Sequence, residues 1–468
     1  MYDLSPRKKR GSGALKGIVA LILIGAIAVG AVFTTRTGDE PTVTLDVGLP
    51  AIGPETPLTV TVAEPKRGPI ALKVTLRQEG LQVPLLEQTF TPRPWHQLWG
   101  EPVAEKRFEL KIDKKGNAKE LRVGDATIEV WAKGAQTWAV AGPEATKSVT
   151  LPVKLVPPSV EVKSSFIYPT QGGCEAVVFE VGESAVKSGV QAGDWFFPGY
   201  PLPNGKDNER FALFAIPYDL DDMEKVKLVA SDDVGNTMAI DFVDRFTAKP
   251  FKEDTINVTD RFMKIVVPKI MGKTPSFEDR GSLLKNYVAI NSEMRQDNAE
   301  RLVELSKGSE PKFHWNQSFA QMQAQVFSSF ADRRTYMYEG KAVDKQDHLG
   351  FDLASTKKAP IPAANAGKVV LAEYFGIYGN AVVIDHGYGL MSLYGHLSSI
   401  DVKVGDTVTR AQTIGSTGAT GLALGDHLHF TMLLAGLAVT PLEWWDGHWI
   451  HDRIALKLGD ALGFVEDE

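Results

Sequence analysis

The 468-residue chain has a single cysteine, Cys174. No intramolecular disulfide can form, so the folded parts are held by apolar cores alone. That does not exclude an oxidising compartment; the chain simply does not exploit one. Internal repeats and long low-complexity tracts are absent, and only one apolar run is long enough to cross a bilayer. With 23% charged and 43% hydrophobic residues, usage is ordinary for a globular protein. A largely disordered chain, a collagen-like fibre and a multi-span membrane protein are thereby excluded. At roughly 150 residues per domain, the length suggests about three domains.

Net positive charge is confined to the N-terminus. Residues 1–36 carry Arg7, Lys8, Lys9, Arg10, Lys16 and Arg36 against Asp3, or +5, so the remaining residues sum to -12 of the formal -7. An acidic body argues against nucleic-acid binding, which runs on phosphate neutralisation.

What is present begins with the uncharged run Gly17–Phe33, about 26 Å long as a helix. That approaches the roughly 30 Å of a hydrocarbon core, and the basic cluster before it belongs on the cytoplasmic side. Ala26-Ile27-Ala28 fits a signal-peptide cleavage site, but Val29–Phe33 prolongs the apolar run beyond it. The expectation is a basic cytoplasmic segment over 1–16 and a transmembrane signal anchor over 17–35. The bulk of the chain then lies outside the inner membrane, on the periplasmic side, or is secreted if the signal is cleaved.

Beyond a polar joint, period-2 alternation predicts strands in TVTLDV (42–47), LTVTVA (58–63), ALKVTLRQ (71–78), RFELKI (107–112), ATIEVW (126–131) and SVTLPVKLV (148–156). Their spacing suggests a β-sandwich of immunoglobulin-like type over 41–156. A second β unit is expected over 159–247. Next comes a connector, 248–319, in which helical spacing from Leu283 to Leu305 predicts a helix over 276–306, capped by Ser276 or Ser282. That helix either packs as a connector or lies across an active-site groove as a regulatory segment. A mainly β architecture returns over 320–446, and 447–468 forms a tail.

Five of the nine histidines fall between His348 and His429. His348 and Asp352 are four apart on what reads as extended chain, where i and i+4 share a face. His427 and His429 flank Leu428 on a predicted strand, so both imidazoles share one face while the leucine enters the core. Two buried imidazoles need partners for their nitrogens, and metal coordination or catalysis would supply them. His396, in Leu393–Leu397, stands at another predicted strand end. His, Asp and His are suitable zinc ligands, and three protein ligands plus water define a catalytic site. His96 and His314 read as surface or packing residues, and His448 and His451 as part of a packed tail.

HLGFD (348–352), LYGHL (393–397) and GDHLHF (425–430) together resemble the three motifs of the lysostaphin-type (LytM-like) zinc metalloendopeptidases. VIDHG (383–387), VGDTV (404–408) and GSTG (415–418) support the resemblance, which covers about residues 320–446. It implies a small antiparallel β fold with a groove, and hydrolysis of peptide bonds in bacterial peptidoglycan. On that resemblance His348, Asp352 and His429 bind one Zn2+, while His396 and His427 form the catalytic pair. His386 matches a strand position and is expected to be structural. Two departures stand out: Ala419–Asp426 replaces the family's usual short lead into H-L-H-F, and Thr431 occupies a position where an acidic residue is common. The resulting expectation is a membrane-anchored peptidoglycan endopeptidase. The competing readings are a non-catalytic wall-binding or amidase-regulating module of the same fold, and an adhesion scaffold built on the β domains.

Overall fold

The computed structural model describes residues 13–97 and 99–466, so the basic stretch Arg7–Arg10 lies outside the described residues. The chain divides into two compact units, the first comprising Met1–Pro157 with Asp232–Asn236 and the second the remainder.

In the first unit the apolar run forms helix α1 (Gly13–Arg36), longer at both ends than its uncharged core. None of its apolar window is buried against protein, which rules out a soluble core helix and agrees with a membrane span or a signal sequence. After it come two antiparallel sheets. One has the strand order Thr42–Val47, Glu55–Ala63, Lys106–Asp113; the other runs Leu81–Thr89, Pro69–Gln78, Gly124–Gly134, Glu144–Val153. Alternation dictates which side chains turn inward: Leu58, Val60 and Val62 from the first sheet meet Leu72, Val74, Leu76, Ile128 and Val130 from the second in one cluster. All six expected strands are present. Leu81–Thr89 went unread because Pro84 interrupts it; the strand lies at a sheet edge, where a missing N–H costs no ladder bond.

The second unit is also mainly β. Two four-stranded sheets occupy 160–240, including Lys187–Ala192 and Trp195–Pro198, which alternation did not reveal. Their buried residues, such as Phe179, Phe211 and Phe214, belong to the same apolar cluster as the C-terminal sheet. That sheet is eight-stranded. Its path runs Gln325–Ser328, Phe351–Ala354, Leu428–Leu434, Leu390–Leu397, Asn380–Gly387, Gly367–Tyr374 and Thr407–Val408, with Leu437–Val439 pairing beside Leu428–Leu434. The tail packs Ile450, Ile454 and Leu458 into this cluster.

The single helix expected over 276–306 is corrected to two, α3 (Leu283–Asn291) and α4 (Glu293–Ser306), after an unexpected α2 (Asp260–Lys273). Ser282 caps α3 by accepting the Lys285 N–H. The break falls at Ser292, whose hydroxyl bonds back to the Val288 carbonyl at 2.7 Å and competes with the helical ladder. Pro268 and its β-branched neighbours oppose a helix locally, yet Met263, Val266, Val267 and Ile270 form an i, i+3, i+4, i+7 stripe that packing rewards. The three helices share a small core with Tyr336 and Ile377, against a sheet in which Glu253–Asn257 runs parallel to Asp332–Tyr338.

Candidate functional site

His348 closes strand Lys341–His348, and Asp352 lies one residue into Phe351–Ala354, a strand of a different sheet. The two therefore converge because the chain turns at Leu349–Gly350, and not because one extended strand presents both. Asp352 pairs across the sheet with His429 on Leu428–Leu434. Leu428, which opens that strand, is buried in the core, while His427 just before it and His429 within it turn together toward Asp352.

Three donor atoms meet at this point. His348 Nε2 and His429 Nδ1 each lie 3.0 Å from Asp352 Oδ1, and 3.2 Å from one another. The far side of each ring is satisfied. His348 Nδ1–H donates to the Ser329 carbonyl at 3.0 Å, so its Nε2 presents a lone pair. The Thr431 hydroxyl donates to the Leu349 carbonyl at 2.8 Å and thus accepts from His429 Nε2–H at 3.0 Å, which turns the Nδ1 lone pair inward. Two lone pairs and a carboxylate facing each other repel unless a cation sits among them. Tetrahedral zinc with ligand bonds of about 2.0–2.1 Å sets its donors roughly 3.3 Å apart, so the set fits.

His396 and His427 stand beside this corner, their ring centroids 4.8 Å apart. A register shift between Asn380 and Val382 bulges the strand Leu390–Leu397, and His396 takes φ +68, an uncommon conformation for a non-glycine residue. The bulge re-aims its ring. His396 Nδ1–H donates to the Thr420 carbonyl and His427 Nδ1–H to the Gly425 carbonyl, each at 2.8 Å. Both rings thereby keep Nε2 available. Both carbonyls come from Ala419–Asp426, the segment that departs from the usual pattern. Its departure reshapes the rim and supplies these two anchors together. Gly421, at φ +71, lets this loop press onto the Ile377–Gly379 turn, where a Cβ would collide with Gly379 N and the Ile377 carbonyl.

Electrostatics follow from burial. Burial pushes the Asp352 carboxyl up, but the surrounding His348, His427 and His429 outweigh this and hold it well below the usual carboxylate range. Burial lowers His429 to about 4 and takes His396 well below an ordinary imidazole, aided by the neighbouring rings. In His427 burial is overcome by the Asp352 carboxylate 3.5 Å away, and its pKa is raised. Arg334 places Nη2 3.6 Å from Asp352 Oδ2, the oxygen turned away from the histidines.

These groups line a cavity of about 240 Å³ whose other walls include Phe262, Tyr287, Arg295, Tyr378 and Leu422. The helical segment 260–306 thus forms one wall of the site. Nothing in the sequence pointed to Arg334, Arg295 or Tyr378 as lining residues. The remaining histidines lie elsewhere. His386 is fully buried between the Ala366 carbonyl and Ser392 Oγ, each at 2.8 Å, and burial takes it down to about 4. His314 sits 3.6 Å from Glu310, His451 pairs with Asp452 at 2.9 Å, and His96 is exposed beside Trp95.

Residues 346–441 match the model of Peptidase family M23. Over 118 residues the chain is 36% identical to "Peptidoglycan DD-endopeptidase ShyA" of Vibrio cholerae serotype O1, covering 25% of this chain and 27% of that protein. Over 96 residues it is 37% identical to "DD-carboxypeptidase/endopeptidase Mpg" of Neisseria meningitidis serogroup B, covering 20% and 22%. The chain spans about a quarter of the length of these curated relatives. Among solved structures, a peptidase M23 from Pseudomonas aeruginosa aligns over 60% of this chain and 95% of its own, at 22% identity and a TM-score of 0.38.

Proposed function

We propose that the chain, whose residues 346–441 match the model of Peptidase family M23, is a membrane-anchored zinc endopeptidase hydrolysing peptide cross-links of bacterial peptidoglycan. The observation that carries this reading is the convergence of His348 Nε2, Asp352 Oδ1 and His429 Nδ1 at 3.0–3.2 Å, with the opposite nitrogen of each imidazole tied to an acceptor. The names of the relatives support peptidoglycan as the substrate class.

His348, Asp352 and His429 would hold the metal. Zinc, when bound, supplies a Lewis acid that brings the pKa of a coordinated water toward about 7. The chain's own contribution is orientation. His396 and His427 hold their Nδ1 protons on loop carbonyls and turn Nε2 toward the cavity, where each can take a proton or donate one to a developing oxyanion. Arg334 occupies Asp352 Oδ2, which favours keeping Oδ1 on the metal side. Helix α1 anchors the chain, with the β units outside the membrane.

Purified full chain in detergent, assayed for bound zinc and for muropeptide release from sacculi, tests the reading. His429→Ala is expected to lose both; His396→Ala is expected to keep zinc and lose release. Stoichiometric zinc with unchanged release in both variants would remove this site from the chemistry. Absence of zinc and of release in the parent chain would leave the non-catalytic module as the better reading.

A further inference from the structure

The first unit carries an aromatic patch that the peptidase reading does not use. Trp95, Trp99 and Trp138 are 42%, 73% and 78% exposed, in a chain whose other large aromatic side chains are mostly packed. They come from two separate loops, and two of them meet on the last turns of helix α1: the Phe33 ring lies 4.8 Å from Trp138 and 5.8 Å from Trp95. This meeting is built. Buried Arg67 donates from Nη1 to the carbonyls of Arg36 at 3.0 Å and Gln136 at 2.9 Å, and from Nε to the carbonyl of Arg93 at 2.8 Å. One guanidinium therefore clasps the helix end, the Trp138 loop and the Trp95–Trp99 loop. The Gly38 N–H adds a 2.8 Å bond to the Ala135 carbonyl.

We propose that Trp95, Trp99 and Trp138 form a membrane-interface collar, which seats the first β unit on the bilayer surface around the exit of helix α1. The proposal rests on the reading of α1 as an anchor. From Leu15 to Phe33 the helix rises about 27 Å, so Phe33 reaches the boundary of a hydrocarbon core of about 30 Å. Indoles packed on Phe33 then stand at headgroup depth, where a ring with an apolar body and an N–H donor is most favoured. Charge at the patch is mixed: Lys66 pairs with Asp39 at 3.5 Å, and Arg93 donates to the Lys66 and Glu101 carbonyls. The collar is thus aromatic and not polybasic, and it needs no anionic lipid. A second copy of the chain is the competing occupant of such a surface.

The test uses the full chain reconstituted into phosphatidylcholine vesicles, with lipids brominated either near the headgroup or near the chain end. Parent protein should float with the vesicles after carbonate washing and lose tryptophan emission to the shallow bromines more than to the deep ones. Trp95→Ser, Trp99→Ser and Trp138→Ser together should still float but lose most of that quenching. Replacing part of the lipid with phosphatidylglycerol should change little. Flotation with equal quenching in parent and variant would overturn the collar and leave the anchor standing. Failure to float would overturn both. Indoles shielded from acrylamide but untouched by bromine would assign the patch to a second copy and also overturn it.

Discussion

Replacing Thr431 by valine isolates one hydroxyl that holds a proposed metal ligand in place. Thr431 is 1% exposed, and its oxygen sits between His429 Nε2 at 3.0 Å and the Leu349 carbonyl at 2.8 Å. Valine keeps most of the volume but leaves a buried N–H and a buried carbonyl without partners, at a cost of about 1–3 kcal/mol per group. It also releases the tautomer that points Nδ1 at the metal corner. Loss of such an outer acceptor typically weakens metal binding by roughly 10–100-fold, or about 1.4–2.7 kcal/mol. The assay is competition for zinc against a chromogenic chelator, beside a thermal melt of the metal-free protein. Thr431→Val should shift zinc affinity by one to two orders of magnitude, and Thr431→Ser should restore it. A valine variant binding zinc within about twofold of the parent would refute the orientation argument, because the expected loss starts near tenfold.

Gly350→Ala should abolish zinc binding, measured by metal analysis after dialysis, since a Cβ there would lie 2.6 Å from both His429 Nε2 and Thr431 Oγ1. Accommodating it costs about 1–3 kcal/mol or displaces the imidazole. Gly421→Ala should instead retain zinc and lower turnover, because it disturbs the loop whose carbonyls orient His396 and His427. Equal zinc loss in both variants would contradict that division. Glu443, whose carboxylate accepts the Cys174 N–H at 2.6 Å, is pushed by burial up to about 8. Its folded pKa exceeds the unfolded one, so the folded state binds the extra proton and stability falls as pH rises from about 4.5 to 8. The loss is at most on the order of 4–5 kcal/mol. Glu443→Gln should flatten melting temperature against pH in that window, and an unchanged slope would place the titration elsewhere.

Much of the fold was readable because the responsible signals are local. Alternation located six of the seven strands of 42–156, since each follows from its own residues facing one core. It missed Leu81–Thr89 and Lys187–Ala192, where an edge proline and a short glycine-containing strand blur the period. Helix α2 was hidden for the opposite reason: Pro268 and β-branched residues oppose a helix locally, and burial of its Met263–Ile270 stripe overrides them.

At the site the division is sharper. Residue types, spacing and the resemblance of three motifs singled out His348, Asp352, His396, His427 and His429 as candidates, and the structure brings these five side chains together. The sequence likewise determined that an apolar segment of membrane-crossing length precedes an acidic β-rich body. Tertiary structure decided how those groups meet. His348 and Asp352 converge across a turn between two sheets, Thr431 and Ser329 set the tautomers, and the Ala419–Asp426 loop fixes both remaining histidines, one 24 residues and the other two residues from its anchoring carbonyl. It also brought α2–α4 to the cavity wall and joined three segments at Arg67. Hydrogen bonds to main-chain carbonyls and contacts between distant elements depend on coordinates and not on residue type, so no pattern along the chain could have carried them.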